Sequence, residues 1–150
     1  MKSFKEYQER KEAKKFFKQN NSIYLSNDEW ILLIIKGLFS AVVIGIIHGL
    51  INRVLLFDFS FIYIVVGIFI ANVLSSSVNR ATNQIGLLSV FFTLVAYYVC
   101  FVVLELSYFN LFVSLFNAFF MFVFNDLLTI IFMIIGLVAA YLQGSDNKFM

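Results

Sequence analysis

The chain has 150 residues, of which 61% are hydrophobic and only 13% charged, with 20 Phe and no Pro. Its mean hydropathy is +0.91, whereas soluble domains average about 45–50% apolar and about 25% charged residues. A single water-soluble core of this length could not hide so much apolar surface, so intrinsic disorder, a secreted disulfide scaffold and a soluble enzyme are excluded and an integral membrane protein is expected.

The placement of charge says more than the net value of +2. Lys2, Lys5, Arg10, Lys11, Lys14, Lys15 and Lys18 are opposed only by Glu6, Glu9 and Glu12, so this stretch carries 7 − 3 = +4. Residues 1–29 are expected to be a basic cytoplasmic segment, with a charged helix over 1–22 in which Glu6 and Arg10 form a favourable i,i+4 pair. Phe4, Tyr7, Phe16 and Phe17 do not gather into one stripe. The segment reads either as a solvated helix that sets topology or as one that also docks on anionic lipid headgroups. No nucleic-acid partner is expected, because no recognition fold accompanies the basic residues. With 29 mostly polar residues ahead of the first apolar run, no secretory signal peptide is expected either.

Ser26-Asn27-Asp28-Glu29 has the S-x-x-E form of a capping box, with Leu25 and Trp30 at the staple positions. A first span follows over 30–52, long enough for a bilayer core of about 20 residues. Further spans are expected over 59–76, 85–104 and 125–142. Between the last two, Asn110, Ser114, Asn117, Met121 and Asn125 fall on one helical line at spacings of 4, 3, 4 and 4. A narrow polar line on an aromatic helix suits a segment in the interface, expected over 111–124; a fifth span there is the alternative. The polar stretch 75–84 reads as an inner loop. The fold class expected is thus all-α: a polytopic membrane protein of four transmembrane helices, a short interfacial helix and a charged N-terminal cytoplasmic helix, ending in a cytoplasmic tail over 143–150.

Orientation follows from the basic residues. With the N-terminus inside, the inner face holds the seven N-terminal positives, Arg80 and Lys148, and the outer face only Arg53. Both termini are then cytoplasmic. The abundance of Phe, Ile, Asn and Lys fits an AT-rich bacterial genome, and hence a bacterial inner membrane. From Asp58 to Tyr98 the chain gives an acidic turn, a Gly-containing span, a short polar basic loop and another span, followed by an aromatic stretch ending in Asn125-Asp126-Leu127-Leu128. Over about residues 35–142 this order resembles a loose group of small, uncharacterised four-span bacterial membrane proteins. The resemblance implies a fold and not an activity.

Small residues supply the clearest pattern. Gly37, Ala41, Gly45 and Gly49 recur every four residues in the first span, Gly67, Ala71 and Ser75 in the second, and Gly136, Ala140 and Gly144 in the last. In lipid such lines let backbones approach closely, within one chain or between two copies. His48, the sole histidine, shares the first line's face, with Asn52 one turn on. It reads as a buried structural histidine or as a proton-linked or ligand-binding site. Lys36 is placed to snorkel to the inner headgroups. Arg53, Asp58, Glu105 and Asp126 fall at the outer boundary, as turn residues or as a cation- or partner-attracting polar site.

Enzyme chemistry has little to use: no nucleophile elbow, phosphate-binding glycine loop, HExxH or cysteine pair is present, and Cys100 lies in an apolar span. No catalytic residue, cofactor or metal is expected. The expected function is non-enzymatic: contact with another membrane protein, as an accessory or assembly subunit, or self-association as a homo-oligomer. The alternative is a small channel, transporter or membrane-perturbing effector using His48 and the outer acids.

Overall fold

The computed structural model describes residues 25–55, 60–79, 81–106 and 110–145. The expected N-terminal helix, Asp58, Arg80 and Lys148 lie outside the described residues. Five helices make up nearly all of the rest: α1 (Asn27–Leu55), α2 (Ile62–Val78), α3 (Asn83–Glu105), α4 (Leu111–Val123) and α5 (Leu127–Gly144). No strand occurs among the described residues. α1, α3 and α5 are long and apolar enough to cross a membrane, while α2 and α4 are shorter apolar helices of 17 and 13 residues.

Four of the five helices open on a side chain that accepts from a first-turn amide. At α1 the capping box forms in full: the Ser26 amide donates to Glu29 Oε2 at 2.8 Å, and the Glu29 amide donates to Ser26 Oγ at 3.3 Å. Thr82 Oγ1 accepts from the Ile85 amide at 3.3 Å, Asn110 Oδ1 from Val113 at 3.1 Å and Asp126 Oδ2 from Thr129 at 3.0 Å. First-turn amides have no helical partner and are costly to leave bare, which is why short polar residues stand at these boundaries. α2 starts instead from a turn, with the Tyr63 amide donating to the Ser60 carbonyl at 3.2 Å.

The polar stretch expected as a loop over 75–84 is mostly helical. Ser75, Ser76 and Ser77 belong to the last turn of α2, and Gln84 to the first turn of α3. The Ser76 and Ser77 hydroxyls both donate to the Val73 carbonyl, at 3.1 and 2.6 Å, so serines that look like turn punctuation are absorbed by their own helix. The helix stops two residues after Ser77 at Asn79, in the left-handed region at φ 51°, a conformation asparagine tolerates better than most residues.

The helices run up and down. At the end where α1 begins, the Leu25 amide donates to Gln84 Oε1 at 3.4 Å, and the Thr82 amide to the Gly144 carbonyl at 3.0 Å, joining α1, α3 and α5. At the opposite end Ser60 Oγ lies 3.4 Å from Thr129 Oγ1, joining the starts of α2 and α5. α3 is central and touches every other helix, whereas α1 and α5 flank it without meeting among the described residues.

Among the described helices, α4 packs on α3 alone. Ser114 and Ala118 are its buried residues, small enough to let the two helices close, and the Tyr98 hydroxyl donates to the Leu115 carbonyl at 3.0 Å. The expected polar line therefore divides: Asn110 caps the helix, Ser114 is buried, Asn117 donates to Glu105 Oε2 at 3.4 Å, and Met121 is exposed. Phe112, Phe116, Phe119, Phe120 and Phe124 all stand exposed on this segment.

Candidate functional site: a buried histidine–tyrosine cluster

One level of the bundle brings polar side chains together in the apolar interior. His48 from α1 is buried and meets the Tyr63 ring of α2 edge-on, with centroids 4.7 Å apart at 73°. Tyr97 of α3 meets Tyr63 from another side at 4.9 Å and 87°. Both lie in the range favoured by aromatic pairs, where a positive ring edge faces a negative ring face. Phe101 stacks on Tyr63 at 6.4 Å, and Phe122 of α4 meets Phe101 at 6.2 Å, so an unbroken run of rings joins His48 to the outlying helix.

Hydrogen bonds hold this arrangement. The Tyr97 hydroxyl donates to the main-chain carbonyl of Tyr63 at 2.6 Å. His48 Nε2 lies 3.3 Å from Asn52 Nδ2, one turn along α1, so the histidine's partner is on its own helix instead of a neighbour. Nδ1, the other ring nitrogen, is buried with no hydrogen-bond partner among the described residues.

Glycine makes the level reachable. A Cβ on Gly136 would collide with the Tyr97 hydroxyl and come within 2.6 Å of the Tyr63 carbonyl oxygen. One on Gly67 would collide with the Gly136 carbonyl oxygen. α2 and α5 thus cross backbone to backbone, and the tyrosine hydroxyl fits into the space a side chain would fill.

The small residues of α1 lie along a separate intrachain seam, against α3. Added side-chain atoms at Gly45 would meet the Ala96 carbonyl at 2.6 Å and Val99 Cβ at 2.9 Å; at Gly49, Val103 Cβ at 2.8 Å and the Cys100 carbonyl at 2.9 Å. Gly37 lies under the Phe92 ring, and Ala41, Ala71 and Ala140 are fully buried. A second close crossing, not read from the sequence, joins Gly86 of α3 to Gly144 of α5, with a Gly144 Cβ 2.9 Å from Gly86 Cα.

Of the expected outer charges, the three that are described do not join the cluster. Arg53 is exposed, Glu105 accepts from Asn117, and Asp126 caps α5; no ion pair links the three. The Thr129 amide and hydroxyl hold the exposed Asp126 carboxyl below its ordinary range. Among the described residues no three His, Cys, Asp or Glu side chains converge in a way that could hold a metal ion. Chemically the cluster is two separate hydrogen bonds, from Tyr97 to the Tyr63 carbonyl and between His48 and Asn52, brought together by ring contacts. Tyr63 and Tyr97, its centre, carry no signal in the sequence: each lies in an apolar run, Tyr97 beside Tyr98, and only the tertiary fold brings them together.

No protein-family model, no curated protein and no solved structure matches the chain.

Proposed function

We propose that the chain is a non-enzymatic, four-span protein of a bacterial inner membrane that works by helix contact, as an accessory or assembly subunit of another membrane protein or as a homo-oligomer. Three helices already meet the length and composition of a span. In this reading α2 is the fourth: its 17 residues stand at the lower limit of spanning length, and its packing against all three of the others supports a place at their depth. α4, rising roughly 20 Å, falls short of a roughly 30 Å core and lies at the outer interface. The basic residues put both termini in the cytoplasm.

The observation that carries the contact role is the division of surfaces. Small-residue seams are filled within the chain, and the apolar surface left uncovered lies on the outer faces of α1, α2 and α5 and on the phenylalanine-rich face of α4, which packs on the bundle through Ser114 and Ala118. Co-purification in mild detergent with mass measurement tests this: a retained second protein or a second copy is expected, and a bare monomer under all mild conditions counts against it.

A second reading, a small channel, transporter or membrane-perturbing effector, is favoured by the buried His48 Nδ1. Proton and cation flux in liposomes, measured between about pH 5.5 and 7.5 where a histidine ordinarily titrates, decides between them. Flux above empty vesicles that disappears in His48→Gln would establish the second reading.

A further inference from the structure

The outer faces of α1 and α2 enclose a groove of about 540 Å³ on the bundle surface, at the end where α1 begins. That volume lies within the roughly 300–1,000 Å³ of small-molecule sites. Its walls are apolar and open outward, with exposed Phe39 on α1 and exposed Phe69 on α2, and with Val73 of α2 also in the lining. Its polar groups are Lys36 from α1 and Ser40, Ser76 and Ser77. Lys36 forms no ion pair among the described residues, and no acidic side chain lines the groove.

We propose that this groove binds one anionic phospholipid of the glycerol-headgroup class from the inner leaflet, with the phosphate on the Lys36 ammonium and an acyl chain between Phe39 and Phe69. The donor and acceptor inventory selects that chemistry. The three serine hydroxyls already donate to their own helices: Ser40 to the Gly37 carbonyl at 3.0 Å, Ser76 and Ser77 to that of Val73. Their oxygens are left as acceptors, and Lys36 is left as the donor. A ligand that satisfies both must bring a negative group for the lysine and hydroxyl donors for the serines. Phosphatidylglycerol carries both, while a choline headgroup offers no hydroxyl and no net charge. Basic pockets between spans on the cytoplasmic side are places where anionic headgroups settle. The lysine stem, about six residues or roughly 9 Å beyond Trp30, can lie along the apolar wall and lift its charge to headgroup level.

The inference rests on the membrane reading above, and its test separates the two. The full chain in mild detergent is titrated with phosphatidylglycerol and, separately, phosphatidylcholine, and bound lipid is counted by native mass spectrometry. The first phosphatidylglycerol is expected to bind about fivefold more tightly, as one basic side chain beside an anionic lipid contributes about 1 kcal/mol. Lys36→Gln should abolish that preference and Lys36→Arg should keep it. Val73→Trp should fill the groove and lose the preference although the cation remains, which excludes loose attraction to an exposed lysine. Equal binding of the two lipids, or a preference that survives both Lys36→Gln and Val73→Trp, overturns the site while leaving the membrane reading standing. A chain recovered as soluble protein without detergent overturns both.

Discussion

The Tyr97 hydroxyl donates to the main-chain carbonyl of Tyr63 at 2.6 Å, across a gap that exists because position 136 has no side chain. Three helices are fixed by this one contact: α3 supplies the donor, α2 the acceptor and α5 the space. Tyr97→Phe keeps the ring and removes the bond, and is expected to lower detergent stability by about 0.5–1.5 kcal/mol. Gly136→Ala should cost more, since its methyl meets both the hydroxyl and the carbonyl. In the double variant the loss should be smaller than the sum of the two, because removing the hydroxyl vacates part of the space. Additive losses in a double-mutant cycle would show that the two positions are not coupled.

The seam between α1 and α3 gives a second expectation. Gly45→Leu and Gly49→Leu should each force α1 off α3, because the nearest obstacles include the Ala96 and Cys100 main-chain carbonyls, which cannot rotate away. Overpacking of this kind costs about 1–3 kcal/mol or more. Leu38→Ala, on an exposed position of the same helix, should be nearly silent. Thermal unfolding in detergent compares the three; glycine variants as stable as Leu38→Ala would mean that this face looks at lipid.

Asp126 provides a pH signature. Its folded-state carboxyl is held below the ordinary range by donors from Thr129, so the ionised form is favoured in the folded chain. That contribution is complete at neutral pH and is lost as the pH falls through and below the usual carboxylate range. Asp126→Asn keeps a capping oxygen without the titration. The gap in melting temperature between the wild-type chain and Asp126→Asn should therefore narrow on acidification, and a gap that stays constant would show that the charge plays no part in the cap.

His48 separates structure from chemistry. A histidine that only fills its place beside Asn52 and Tyr63 tolerates an amide, which offers a donor and an acceptor at similar reach. His48→Gln should then leave abundance, unfolding temperature and any co-purifying mass unchanged. Loss of a measured activity with folding intact would instead make the ring's titration essential.

What could be read from the sequence was local or periodic. The Ser26–Glu29 box spans four residues, and its bonds form as the spacing implies. Helix positions followed from the apolar runs and the Ser26 box, and the boundaries of the five described helices lie within three residues of those expected. The four-residue spacing of Gly37, Ala41, Gly45 and Gly49 marks a close-packing face, but nothing in it names α3 as the partner, since any backbone fits against glycine. The serines at 75–77 mislead for a related reason: the same hydroxyl that favours a turn can bond back to a carbonyl one turn earlier. Tyr63 and Tyr97 were invisible because their role depends on a contact between residues 34 positions apart in the chain.

The setting of the bundle in the bilayer is tested most directly by cysteine accessibility. In a Cys100→Ser background, Lys2→Cys and Lys148→Cys are exposed in intact cells to a membrane-impermeant thiol reagent, then again after permeabilisation. Four spans with both termini in the cytoplasm predict no labelling at either position until the membrane is opened, and labelling at both afterwards. Labelling at residue 148 but not residue 2 in intact cells would contradict it, since the chain would then cross the membrane an odd number of times.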